Sequence, residues 1–221
     1  MIDLHTHSIF SDGELLPSEL ILRALTKGYE AIAITDHVDI SNIDFVIPRI
    51  IKACEELNRY VEIKAIPGVE ITHVPPETIS DLTKEARNLG AKIVIAHGET
   101  IVEPVLPGTN RASIKAGVDI LAHPGLISHE DAAMAHERGV YLEITSRAGH
   151  CLANGHIVSV AMKLGTGLVI NTDAHSPQDL ITDEEAERII LASGVTKEWV
   201  NTILKNSKII AGRLPKSPGN Q

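Results

Sequence analysis

Aromatic side chains are scarce. Phe, Tyr and Trp together make up 3% of the 221 residues, so the core has to be aliphatic. Cysteine is nearly absent, with only Cys54 and Cys151, far apart in the chain. Such a pair makes no disulfide framework and points to a reducing, cytoplasmic compartment. Positive charge runs short: 20 Lys and Arg stand against 29 Asp and Glu, a formal net charge of −9. That balance argues against a nucleic-acid backbone as the default partner. No apolar run approaches the roughly 18 residues of a membrane span, so none is expected. The start, Met1-Ile2-Asp3-Leu4-His5, lacks the basic and apolar regions of a signal peptide. What remains is ordinary for a globular domain, 43% hydrophobic and 22% charged. The exception is histidine, with 11 copies.

Short aliphatic runs recur at Ile2–Leu4, Ala31–Ile34, Ile63–Val69, Ile93–Ala96, Ile120–Ala122, Val140–Ile144 and Leu168–Ile170. Continuous runs of this length suit strands buried on both faces, as in a parallel sheet. Helical spacing fills the gaps. Pro17 opens one helix that Gly28 stops, and Pro48–Arg59 repeats the pattern. Thr78–Leu89, His129–Arg138 and Asn154–Leu164 each end at a glycine. Asp183–Gly212 reads as two helices broken at Gly194 and Val195. The alternation predicts α/β architecture with parallel strands, either an open doubly wound sheet or a barrel. No glycine-rich phosphate loop follows the first strand, which weakens the dinucleotide-binding form of the open sheet. One domain is expected over residues 1–214, with 215–221 as a flexible tail.

Nearly every predicted strand delivers a carboxylate or imidazole at its C-terminal end. These are His5 and His7 with Asp12, then His37, Glu70, His97, His123, and Asp173 with His175. In a barrel those ends meet at one mouth; in an open sheet only two or three of them meet. Residues i and i+2 of extended chain point the same way, so His5 and His7 address one point, as do Asp173 and His175. Imidazole and carboxylate suit Zn²⁺, Mn²⁺ or Fe²⁺ without any thiolate. These nine residues exceed the needs of one ion, so two or three ions are expected.

The motifs His5-Thr6-His7-Ser8, Ser11-Asp12-Gly13, Thr35-Asp36-His37, Gly68-Val69-Glu70, Ala96-His97-Gly98, Ala122-His123-Pro124 and Asn171-Thr172-Asp173-Ala174-His175 resemble, in order, those of the PHP (polymerase and histidinol phosphatase) family. The resemblance covers residues 1 to about 180. It implies a distorted (β/α)₇ TIM-like barrel with a trinuclear metal centre. By that resemblance His5, His7, Glu70 and Asp173 hold a first ion. Asp12, His37 and His175 hold a second; Glu70, His97 and His123 hold a third, with Glu70 bridging. The implied reaction is hydrolysis of a small phosphomonoester by a metal-activated hydroxide. Asp12, His37 or His175 then protonates the leaving oxygen.

Around this set, Arg147 lies just past the sixth strand and is expected to grip phosphate. His150 and Asn154 are candidate substrate contacts, against an exposed His150 and a helix-capping Asn154. The loop after His97 is expected to shape specificity, with Glu99 or Glu103 reaching the pocket. Glu143 reads as paired to a neighbour, and Cys151 as a small buried residue. His73, His129 and His136 read as unremarkable. The competing functions are a nuclease or phosphodiesterase, and a non-catalytic scaffold or RNA-binding subunit. A metal-dependent amidohydrolase is disfavoured, because no lysine stands at a middle strand end as a ligand.

Overall fold

The computed structural model describes residues 1–212. The expected tail, and the last two residues of the expected domain, lie outside them. The strands are β1 (Ile2–Asp3), β2 (Ala31–Ile34), β3 (His37–Val38), β4 (Lys64–Ile71), β5 (Ile93–His97), β6 (Ile120–Ala122), β7 (Tyr141–Thr145) and β8 (Leu168–Asn171). Every pairing is parallel, in the order β1-β2-β4-β5-β6-β7-β8, with β3 also on β4.

The short β3 was not separated in the sequence. It continues β2: Ala31 pairs with Lys64 and His37 with Glu70, so the register is unchanged across the break. Between them Thr35 turns aside and bonds Thr6, three residues past β1, instead. The barrel therefore has seven staves. A lone bridge between Thr6 and Ala174 brings the first stave to the last and nearly closes it.

Helices alternate with the strands: α1 (Pro17–Thr26), α2 (Ile43–Leu57), α3 (Ile79–Asn88), α4 (Thr109–Ala116), α5 (His129–Arg138), α6 (Asn154–Leu164), α7 (Asp183–Ala192) and α8 (Lys197–Gly212). The α2 helix starts five residues before the expected Pro48, which sits inside it. Pro48 offers no N–H to the Asp44 carbonyl, a real cost. The buried stripe Ile43, Val46, Ile47 and Ile50 outweighs it.

Strand parity divides the core in two. Ile32, Ile34, Leu121, Leu142 and Ile144 pack outward under the helices. Leu4, Ala33, Ile66, Ile95, Ile120 and Val169 fill the barrel, and Ile210 and Ala211 of α8 join them. Alanines among the inward positions suit a barrel of only seven strands, whose interior is narrow. No helix among the described residues is long and apolar enough to cross a membrane.

Candidate metal centre

The strand C-termini deliver their polar residues to one mouth. His5, His7, Glu70, His97, His123 and Asp173 are all buried. His37, His175 and Asp12 form the more open side, with side chains 25%, 12% and 57% exposed. The nine residues expected from the sequence come together in overlapping groups. His5, His7 and Glu70 place ligand atoms within 4.8 Å of one another, as do His5, His123 and Asp173. So do His7, Asp12, His37 and His175, and Glu70, His97 and His123.

The hydrogen-bond directions test whether metal ions fit. His5 Nδ1 lies 2.9 Å from Glu143 Oε1, and His175 Nδ1 lies 2.9 Å from the Asp173 carbonyl. His37 Nδ1 lies 2.6 Å from Thr72 Oγ1, whose own proton goes to the Glu70 carbonyl. In each case the partner accepts, so Nδ1 carries a ring proton, and the lone pair open to an ion is the one at Nε2. Those lone pairs face carboxylates. His5 Nε2 is 3.2 Å from Glu70 Oε2, and Nε2 of His175 and His37 lie 3.2 and 3.4 Å from Asp12 Oδ1. Acceptors turned on acceptors repel unless a cation or a second proton lies between them. Seven buried side-chain atoms among the described residues lack a hydrogen-bond partner, and six belong to His5, His7, Glu70 and His123. A ring proton fixed on one nitrogen and a bare second nitrogen is how metal-binding histidines are held. The residues fit divalent ions.

Charges respond to this crowding. Burial pulls the His5 imidazole down, but Glu143, Glu70 and Asp173 outweigh it and hold it well above the ordinary histidine range. For His7, burial and the neighbouring His37 and His5 act together and hold it well below. Burial raises the Asp173 carboxyl, helped by Glu70 and Glu143 against His5. Burial also raises Asp12, but His175 and His37 overcome it and set Asp12 at about 2.

Backbone strain gathers at the same place. Among the described residues, the non-glycine positions with positive φ are His73 (52°), His123 (28°) and Asp173 (53°). All three stand at the mouth, where packing has to hold them in a sparsely populated region. Gly98 lets β5 and β6 close up beside His97 and His123; a Cβ there would lie 2.3 Å from the Ala122 carbonyl oxygen.

The cavity over the cluster is about 540 Å³. Arg147 and His150 line it, along with Glu103 and His73. Arg147 Nη1 donates to Asp179 Oδ2 at 3.3 Å. His150 is buried rather than exposed, bonded through Nδ1 to Thr100 Oγ1 and stacked on His123 at 4.1 Å. Asn154 is corrected on both readings. It is buried away from the cavity, with its amide on the main chain of Thr145, and the α6 cap is Ala153. Its amide is consumed in pinning the end of β7. Glu99 turns from the pocket and accepts the Gly108 and Asn110 N–H groups at the start of α4. Cys151 is partly exposed rather than buried.

Glu143 and His73 take part in the cluster beyond what their sequence positions indicate. Glu143 is fully buried and holds His5 Nδ1, the His123 N–H and the Asn171 amide. The signal was there: it alternates with the outward Leu142 and Ile144, and a charge facing into a barrel must be paired. His73 sits beyond the end of β4, where no periodicity reaches, and it faces Glu103.

Residues 3–150 match the PHP domain family model. An uncharacterized protein of Methanocaldococcus jannaschii is 49% identical over 96% of this chain and 99% of its own. A probable phosphatase of Thermoanaerobacter sp. is 28% identical over 90% of this chain and 89% of its own. Among solved structures, a chain of archaeal ribonuclease P with mature tRNA superposes with TM-score 0.72 at 21% identity, covering 95% of this chain and 90% of that one. This last likeness is one of fold. With the motifs, the barrel and the family match in agreement, the chain belongs to the PHP domain family.

Proposed function

We propose that the protein is a metal-dependent phosphoesterase acting on a small phosphomonoester, an alcohol or nucleotide phosphate of the histidinol-phosphate kind. The observation that carries this reading is the composition of the cavity wall. Among the described residues, Arg147 is the one Lys or Arg lining it, and no Phe, Tyr or Trp lines it. A single cation suits one phosphoryl group, whereas a nucleic-acid track needs repeated cations and stacking faces.

Three ions of the Zn²⁺, Mn²⁺ or Fe²⁺ type are assigned to the ligand sets implied by the family. His5, His7, Glu70 and Asp173 would hold one, Asp12, His37 and His175 another, and Glu70, His97 and His123 the third. Bound there, the ions supply an activated water and offset the phosphoryl charge. Arg147 grips the non-bridging oxygens, steadied by Asp179. Asp12, His37 and His175 are the candidate ligands most open to the cavity, and with Asp12 held ionised the proton for the leaving alcohol is assigned to His37 or His175. The P–O bond to the alcohol breaks, water oxygen ends on phosphorus, and the alcohol leaves protonated.

The second reading is nucleic-acid work, as a nuclease or an RNA-binding subunit, which the fold likeness to the ribonuclease P chain favours. One assay separates the two. Metal-loaded protein is offered histidinol phosphate, mononucleotides, cyclic nucleotides and short oligonucleotides. Release of inorganic phosphate from a monoester is expected. Cleavage of oligonucleotides alone would overturn the phosphomonoester reading.

A further inference from the structure

We propose that the ion position at His97 extends outward onto Glu103 and His73, so that this chain adds two ligands to the nine its family motifs supply. The proposal rests on the metal-centre reading above. His97 Nδ1 lies 3.1 Å from the Gly98 carbonyl oxygen, which can only accept, so the ring proton sits there. The lone pair open to an ion is then the one at Nε2. It faces Glu103 Oε2 at 3.0 Å, and His73 Nε2 approaches the same oxygen at 3.3 Å. The contact repeats the pattern at His5, His37 and His175, an imidazole Nε2 turned on a carboxylate oxygen.

The donor set is chemically complete. Two imidazoles and one carboxylate suit a first-row divalent ion, with positions left for water or substrate. The ligand atoms of His73, His97 and Glu103 lie within 4.8 Å of one another. His97 also belongs to the inner group with Glu70 and His123. His97 is common to both groups, so Glu103 and His73 flank the ion position it serves on the cavity side.

Burial orders the two groups. His97 is 3% exposed, while the side chains of His73 and Glu103 are 44% and 38% exposed. The outer pair therefore gives this ion a route to solvent that the buried ligands do not. Glu103 is presented by the 98–108 loop, which is tied down around it. Thr100 bonds His150 Nδ1 at 2.7 Å, and Glu99 accepts the Gly108 N–H at 3.0 Å. His150 Nε2 stands 3.4 Å from Glu103 Oε1, the carboxylate oxygen that His97 does not contact. On the other flank, His73 is held at a positive φ of 52°, uncommon for a residue other than glycine.

The test measures ion content and exchange in the full chain, for wild type, Glu103→Gln and His73→Ala. Each protein is loaded with Mn²⁺, dialysed, and challenged with a chromogenic chelator. Both substitutions sit on partly exposed side chains, and circular dichroism checks the fold. Two tightly held ions are expected in all three proteins. The Kd of the weakest ion is expected to rise about tenfold or more in each variant, with faster loss to the chelator. Loading with Co²⁺ should shift the visible absorption of that ion in Glu103→Gln. An unchanged or tighter Kd in Glu103→Gln would overturn the proposal, leaving Glu103 as a hydrogen-bond partner of protonated imidazoles. An effect confined to Glu103→Gln would overturn the His73 assignment. A wild type that binds no ion at all would overturn the metal-centre reading itself.

Discussion

Removing the divalent ions should strip the protein of much of its thermal stability. Six buried atoms on His5, His7, Glu70 and His123 have no hydrogen-bond partner. Each buried, unsatisfied polar group costs about 1–3 kcal/mol. The total, about 6–18 kcal/mol, is as large as the whole stability of an ordinary domain. Ions that bind only the folded state repay this by mass action: one ion at a thousand times its Kd adds about 4 kcal/mol. For a chain of this size that is about 8–16 °C in Tm. Differential scanning calorimetry of EDTA-treated protein, followed by titration with Mn²⁺ or Zn²⁺, reads it directly. The rise should shrink by more than half in Glu70→Gln, which removes the carboxylate shared between groups. A rise below about 2 °C at saturating metal, or one that survives intact in Glu70→Gln, would refute the reasoning.

Three further outcomes are expected. His123→Ala should lose one ion by mass spectrometry of the native protein and most of the proposed phosphomonoesterase rate, with circular dichroism unchanged. Glu143→Gln keeps the volume but loses the charge that anchors His5 Nδ1, so metal affinity should fall about 10–100-fold by isothermal titration; unaltered affinity would remove Glu143 from the centre. Asp3→Asn tests a pH effect just behind the ligands, where Asp3 Oδ1 accepts the His5 main-chain N–H. Burial lifts the Asp3 carboxyl to about 6, against bonds from Thr172 that lower it. Its folded value lies above the unfolded one, so its contribution is intact below about pH 4 and is lost as pH rises through 6. The variant should gain up to about 3 kcal/mol over wild type at pH 8 and nothing at pH 4 in urea melts of chelated protein. An equal difference at both pH values would reject that account.

The parts legible in the sequence share one physical cause. A parallel strand buried on both faces must be a run of aliphatic residues, and it must end where the polar mouth begins. Ile93–His97 illustrates both: four residues of core, then an imidazole. Periodicity thus marked the seven staves, and the abrupt change at their ends marked the nine ligand candidates. The same logic failed where the backbone leaves the lattice. Pro48 inside α2 defeated a boundary rule, because a buried apolar stripe outweighed one lost main-chain bond. Asn154 looked like a cap or a substrate contact, yet its amide is consumed by the Thr145 backbone, a pairing across nine residues that no local rule encodes.

His73 and Glu103 expose the deeper reason. Each lies beyond a strand end, on chain without a repeating period, and they meet 3.3 Å apart only because the barrel brings β4 beside β5. Strand ends therefore reveal the inner shell of a barrel-mouth site, since regular structure fixes it. The outer shell is built by loops that regular structure merely anchors, and these are the elements free to differ between proteins that share the inner nine. If the two shells act on one ion, the loops tune how readily that ion exchanges while the strands fix the chemistry it serves.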